Sequence, residues 1–391
     1  MKVLHINSVA AFGSTATIAE DLCRGLEARG GRAVLAYGRG DASDKASCIR
    51  IGSPLSVLAH GAASRISDRH GRYSLAATAA FLRRAEAFRP DLVHLHNLHG
   101  YYLNYPMLFA WLRDKKLPVV WTLHDCWAFT GHCAHFIPSG CEKWRSGCGA
   151  CGQKGSYPKS LLADASSRNH ADKRRCFTGL DTLTVVTPSE WLKSLAGQSF
   201  LGAYPIRCIH NGVDLGLFRP DGPEYPPLSH KEDRILLLGV AGSWAENKGL
   251  EDFFRLRQLL DARYRIALVG LSPAQLASLP EGVEGFGRIR SAEELAAIYR
   301  SADLFLNPSY ADTYPSTQLE ALASGTPVLC YDTGGCAEAL ADRRCVVPRG
   351  DVVALAGAIR AEAWRDCVFP ARDRLDKQRA IAEYLSLYES L

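Results

Sequence analysis

The feature that most constrains this chain is an alternation. Short apolar runs recur along its length, each separated from the next by an amphipathic stretch. In the first half they are KVLHINS, RAVLAYG, LVHLHNL, PVVWTLHD and TLTVVTPS; in the second they are RILLLGV, RIALVG, DLFLNPS and PVLCYD. Apolar runs alternating with helical patterns predict β/α units around parallel sheets. Between the first two runs, Ile18, Leu22 and Leu26 recur at helical spacing, and Gly30 and Gly31 end the helix. A length of 391 residues and a linker around HNGVDLGLFRPDGPEYPPLSHKED predict two domains. The expected fold is α/β: two Rossmann-like doubly wound domains facing across a cleft, with ligands at the carboxyl edges of the sheets.

Composition narrows the class. With 47% apolar and 22% charged residues the chain is globular. No stretch reaches the ~18 apolar residues of a membrane span. The start, MKVLHINSVAAFG, has too short an apolar run for a signal peptide. The expected location is therefore the cytoplasm. Of 13 cysteines, eight are scattered singly: Cys23, Cys48, Cys176, Cys208, Cys330, Cys336, Cys345 and Cys367. In a reducing compartment these read as packed thiols, not disulfides. Residues 1–190 carry 24 Lys and Arg against 15 Asp and Glu, a net of +9, while the remainder is net −4. That suggests an anionic acceptor or the inner face of the cell membrane, and is too dispersed to suggest nucleic acid. No G-x-G-x-x-G follows the first run, which argues against a dinucleotide oxidoreductase.

The most informative stretch is NPSYADTYPSTQLEALASGTPVLCYDTGG, residues 307–335. A strand ends near Ser309, and Pro315 stands where a helix would start, as its first residue. The amides of Ser316 and Thr317 then point outward with the helix dipole, which makes a phosphate site. Asp312 and Glu320 lie eight residues apart, too far for a glycosidase acid pair, whose carboxyls in retaining enzymes are ~5 Å apart. They are better placed to hold two parts of one extended ligand.

A second stretch, HDCWAFTGHCAHFIPSGCEKWRSGCGACGQK, leaves the end of a predicted strand. Its first cysteine, Cys126, reads as a packed thiol. Cys133, Cys141, Cys148 and Cys151 have C-x7-C-x6-C-x2-C spacing, which suits a closed tetrahedral zinc site with a structural role; free or disulfide-linked thiols are the alternative. His132 and His135 are the substitute ligands. His94 and His96 alternate on one strand face and read as structural or cleft-lining. His99, Tyr101 and Tyr102 could line an acceptor groove or pack in the core.

At this point the sequence resembles family 4 retaining glycosyltransferases of the GT-B fold. DTYPSTQLEALASGTPV is similar to the family's E-x7-E segment. FGSTATIAEDL, PDLVHLHNLHGYYLN, VVWTLHDCWAFTGHC, GCEKWRSGCGACGQK, VVTPSEWL, IHNGVD, ENKGL and LFLNPSYADTYPSTQLEAL follow in family order. The branch it resembles is that of bacterial exopolysaccharide transferases of the colanic-acid type. The resemblance implies a sugar moved from a UDP- or GDP-linked donor to a glycan or lipid-linked saccharide, with no catalytic metal. It implies domains over residues 1–205, with an insertion at 126–160, and 206–373, and a helix at 374–391 crossing back to the first. By position it assigns Gly13 and Ser14 to a donor-phosphate or acceptor loop. It places His124 beside the donor sugar, Lys248 on the diphosphate, Asp312 on the sugar and Glu320 on the ribose. Ser316 and Thr317 supply amides, and Gly287 and Arg288 belong to the loop that reads the base. Three departures stand out. Gly242 and Ser243 replace the family's arginine, Asp312 is one methylene shorter than the usual glutamate, and GSTAT replaces a double glycine. Two rivals remain: a non-catalytic GT-B scaffold subunit, whose lost catalysis the missing arginine would mark, and a nucleotide-sugar epimerase, which shares the two-domain architecture.

Overall fold

The computed structural model describes the chain except Lys231, Glu232 and Arg290. Lys231 and Glu232 fall within the linker read from the sequence, so that part of it lies outside the described residues. The chain divides into two compact units. Unit one is Met1–His210 together with Ile381–Leu391; unit two is Asn211–Ala380.

Unit one is built on seven strands: β1 (Lys2–Val9), β2 (Arg32–Arg39), β3 (Cys48–Arg50), β4 (Leu92–Leu95), β5 (Val119–Thr122), β6 (Leu183–Thr187) and β7 (Ile206–Cys208). Their order is β3-β2-β1-β4-β5-β6-β7, and every neighbouring pair is parallel. Unit two has β8 (Ile235–Val240), β9 (Tyr264–Val269), β10 (Val283–Phe286), β11 (Leu304–Asn307), β12 (Val328–Tyr331) and β13 (Val346–Val347). They run in the order β10-β9-β8-β11-β12-β13, again all parallel. The strand order reverses between β1 and β4 in one unit, and between β8 and β11 in the other. Such switch points leave a crevice at the carboxyl ends of the strands.

The central strands form for the reason the sequence suggested. β4, β5, β6, β9, β11 and β12 are buried along their whole length, because helices cover both faces of a parallel sheet. Four further strands, β3, β7, β10 and β13, were not expected. They are the four sheet edges, two to four residues long and only partly buried, so they carry no continuous apolar run.

Helix Ser14–Ala28 follows β1 and buries Leu22, Cys23 and Leu26. The last helix, Lys377–Glu389, starts in unit two, and from Ile381 onward it belongs to unit one. Gly25 is what lets it approach, since a Cβ there would collide with Ile381 Cγ2. Two expectations need correcting. Pro315 is the residue before the helix, not its first member: the helix is Ser316–Ala323 and Pro315 is in extended conformation with ψ 119°. Cys345 and Cys367 are not isolated thiols; a disulfide joins them across 22 residues.

Candidate functional site

In unit two the candidate residues sit at carboxyl strand ends. Ser243 and Lys248 follow β8, Gly287 and Arg288 follow β10, and Asp312 follows β11. Lys248 Nζ donates to Asp312 Oδ2 at 2.5 Å, with the two side chains 31% and 14% exposed. Burial works against the ammonium charge, but the adjacent Asp312 carboxylate outweighs it and holds Lys248 above its ordinary pKa. The backbone fixes this pair. Tyr310 N–H donates to Asn247 O at 2.8 Å, and Asn247 Nδ2 to Ala311 O at 3.1 Å. Gly249 lies at φ 72° against Pro308 O, a place where no Cβ would fit. Asp312 Oδ1 accepts from the Thr313 amide at 2.8 Å, which orients the carboxylate.

Helix Ser316–Ala323 begins immediately after this loop, and no side chain caps it. Its first amides carry the positive end of the helix dipole, a suitable seat for an anion. Glu320 lies a turn further in, and its Oε2 accepts from Tyr299 OH at 2.8 Å. Burial pushes the Glu320 carboxyl up to about 7. Tyr299, 21 residues upstream on a different helix, had no signal of its own in the sequence. Ser243, in place of the family's arginine, is exposed, and its carbonyl accepts from the Ala245 amide at 3.0 Å.

In unit one, Gly13 has φ 83° and starts helix Ser14–Ala28 with its carbonyl accepting from Ala16 and Thr17. Gly13 and Ser14 are exposed. His124, just past β5, ends a line of rings. Its Nε2 lies 3.1 Å from His96 Nδ1, and His96 Nε2 lies 3.3 Å from His5 Nδ1. Burial lowers the pKa of His124 to about 4 and of His5 to about 3, and holds that of His96 well below its ordinary value, so all three are neutral near pH 7. Two proton arrangements then satisfy the line. One leaves His5 Nε2 as an unpaired acceptor; the other leaves it as an unpaired buried N–H, and no partner stands beside that atom. His94 is held separately, by Tyr388 OH at 2.5 Å and Thr122 Oγ1 at 2.8 Å.

Asp125 pairs with His99 Nε2 at 2.7 Å, and His99 Nδ1 lies 2.9 Å from Tyr157 OH. Burial raises the Asp125 pKa, but His99 beside it prevails and draws the carboxyl down to about 2. His99 thus belongs to a polar group, whereas Tyr101 and Tyr102 are buried, the latter donating to Asn97 O at 2.8 Å. Tyr157 was not singled out from the sequence.

Cys126 is a buried thiol, as expected. Cys133, Cys141, Cys148 and Cys151 all line one cavity. Among the described residues, the groups of three or more potential metal ligands within 4.8 Å of one another are His5/His94/His96 and Asp68/His70/His132; the four cysteines are not drawn that close. His132 lines the same cavity while its Nδ1 lies 2.6 Å from Asp68 Oδ1, and His135 does not line it. Buried Lys173 ties the start of this segment down, donating to Trp127 O at 2.6 Å and Thr130 O at 2.9 Å.

Known proteins resemble this chain in sequence and fold. The family model for Glycosyltransferase Family 4 matches residues 15–217, and that for Glycosyl transferases group 1 matches residues 234–362. The chain belongs to glycosyltransferase family 4. Its relatives include WcaC of Escherichia coli strain K12, assigned to colanic acid biosynthesis as a glycosyl transferase, at 25% identity over 87% of this chain and 85% of that one. Among solved structures, sucrose-phosphate synthase from Thermosynechococcus elongatus aligns with a TM-score of 0.74 at 18% identity, covering 100% of this chain and 98% of that chain. HepE from Anabaena, in complex with UDP and glucose, aligns at 0.69 and 14% identity over the whole of both chains. These likenesses establish the α/β GT-B fold, and this family 4 chain is a glycosyltransferase of the GT-B type.

Proposed function

We propose that the protein is a retaining glycosyltransferase that moves a sugar from a nucleoside-diphosphate sugar to a glycan or lipid-linked saccharide in bacterial surface polysaccharide assembly. The observation that carries this reading is the Lys248–Asp312 pair beside the uncapped start of helix Ser316–Ala323. A diphosphate leaves easily when its growing charge is met by a fixed cation and helix amides. Lys248 and the amides of Ser316 and Thr317 offer both. Asp312 holds the sugar, Glu320 the ribose hydroxyls, and Gly287 and Arg288 face the base. The bond breaks toward an oxocarbenium-like state, the acceptor hydroxyl attacks on the face of departure, and a phosphate oxygen takes the proton. In unit one, His124 is assigned to orienting the sugar. No enzyme nucleophile and no catalytic metal enter this scheme.

The four cysteines that line one cavity have the donor set of a structural zinc site, and we assign them that role. HepE was crystallised with UDP and glucose, so UDP-sugars head the donor panel. Thermal-shift titration with UDP, GDP, dTDP and CMP, followed by slow hydrolysis of the matching nucleotide sugar, tests the reading. Stabilisation by one nucleotide, lost in Lys248→Met, is the expected result. No binding and no hydrolysis would return the chain to the scaffold alternative. Elemental analysis tests the metal: one zinc per chain, lost in Cys148→Ser, is expected.

A further inference from the structure

The helix Pro54–Ser67 is built inside out. Its buried side carries His60, Gly61 and Ser64. The opposite side carries Leu55, Leu58, Ala62 and Ile66, spaced three or four residues apart, so they form one stripe. Leu55 is 76% exposed, Leu58 67% and Ile66 57%. Ordinary surface helices have the reverse polarity. The stripe does not end with the helix. Leu161 N–H donates to Arg65 O at 2.7 Å and Ala163 N–H to Ile66 O at 3.2 Å, which lays the strap 154–163 alongside. That strap adds Leu161 and Leu162, 59% and 72% exposed. Five large apolar side chains thus share one face of unit one, a grouping that marks an interaction site.

The charges around the face identify its occupant. Over residues 53–75 and 154–164 the acids are Asp68, which is fully buried, and Asp164, whose carboxylate accepts from the Cys151 amide and from Ser166, while Arg65 and Lys159 are exposed. A second copy docking by the same face would set these cations against their own kind, because a two-fold interface is self-complementary. An anionic lipid surface takes both the leucines and the cations. We propose that this face seats unit one on a leaflet containing anionic lipid, with helix Pro54–Ser67 lying in the plane of the interface. The strap that carries Leu161 and Leu162 also carries Tyr157, the partner of His99 and through it of Asp125. Docking would therefore bring the polar group of unit one to the lipid surface, where a lipid-linked saccharide is presented. The proposal does not depend on the donor chemistry.

The test is co-sedimentation of the full chain with phosphatidylcholine vesicles, with and without phosphatidylglycerol. The wild type is expected to sediment with the anionic vesicles and to be released by salt. Because binding scales with buried apolar area, Leu55→Ser/Leu58→Ser/Leu161→Ser/Leu162→Ser should lower the bound-to-free ratio at least ~10-fold. These side chains are exposed, so the unfolding temperature should hold. Arg65→Glu/Lys159→Glu, which leaves the leucines in place, should also lower the ratio and remove its salt dependence. Failure of the wild type to sediment would overturn the proposal, as would equal binding to neutral vesicles or unchanged binding by the serine variant. A dimer in light scattering that the serine variant converts to monomer, without vesicle binding, would give the face to a second copy instead. Nucleotide-sugar turnover plays no part in these readouts, so failure here and failure of the transferase reading are separable.

Discussion

Lys248 and Asp312 lie 64 residues apart, and nothing in their spacing says that they meet; only the resemblance put both on one ligand. What joins them is the switch point, which sets the loops after β8 and β11 side by side. Replacing Lys248 with Met keeps the stem and removes the charge. Turnover of the nucleotide sugar should fall ~100-fold or more, the scale of losing one preorganised charge contact in a transition state. The unfolding temperature should move little, because the pair is partly solvated and such pairs contribute about 0–1 kcal/mol. Rate measured beside thermal unfolding checks this. Glu320 behaves differently. Its carboxyl titrates at about 7 when folded against 4.5 unfolded. The folded state therefore holds the proton more tightly, and its contribution to stability is full below pH 4.5 and is lost as pH rises through 7. The loss should be of order 1–3 kcal/mol, discounted for partial exposure of the side chain. Chemical denaturation at pH 4.5 and pH 8 should show this slope in the wild type and a flatter one in Glu320→Gln. Sequence could name Glu320; it could not name Tyr299, whose hydroxyl reaches it from another helix.

At the scale of elements, the central strands were legible and the edges were not, for one physical reason. A strand between two neighbours under two helical layers must be apolar throughout, as LVHL, VVWT and LFLN are. A strand at the edge, such as Ile206–Cys208 with its exposed middle residue, has no such requirement. The cysteine segment was legible as an excursion but not in its anchoring. Three 3-10 turns, Trp127–Phe129, Ile137–Ser139 and Lys143–Arg145, build it around buried Phe129, Phe136 and Trp144. Lys173 is its strut, with Nζ also 3.5 Å from the centre of the Trp127 ring. Burial draws that ammonium down to about 7. Lys173→Met fills similar space but leaves the carbonyls of Trp127 and Thr130 without their donor. The expected cost is about 2–4 kcal/mol, one to two unsatisfied buried groups. Equilibrium unfolding of the variant measures it, and a change under about 1 kcal/mol would mean that the carbonyls find other partners.

For the whole molecule, the decisive feature is that unit one is discontinuous. Residues 381–391 return to it from the far end of the chain, so its seven-stranded sheet ends at Cys208 while its last helix comes after unit two in the sequence. The return is specific as well as apolar. Tyr384 OH lies 2.9 Å from Thr122 Oγ1, and Tyr388 OH lies 2.5 Å from His94 Nδ1, both buried. The resemblance implied a closing helix that crosses back to the first domain. It could not show that its two tyrosines bond to Thr122 on β5 and to His94 on β4. Tyr388→Phe removes one hydroxyl and keeps the ring against His5 and His94. It should cost about 1–2 kcal/mol, the loss of one buried hydrogen bond plus an orphaned histidine nitrogen. Tyr384→Phe should cost a similar amount. Because Thr122 also bonds His94, the two share one network, and the double variant should depart from the sum of the single costs by at least about 0.5 kcal/mol. A double-mutant cycle on the full chain, read by denaturant unfolding, gives that number. Strict additivity would show instead that each tyrosine holds the helix down independently.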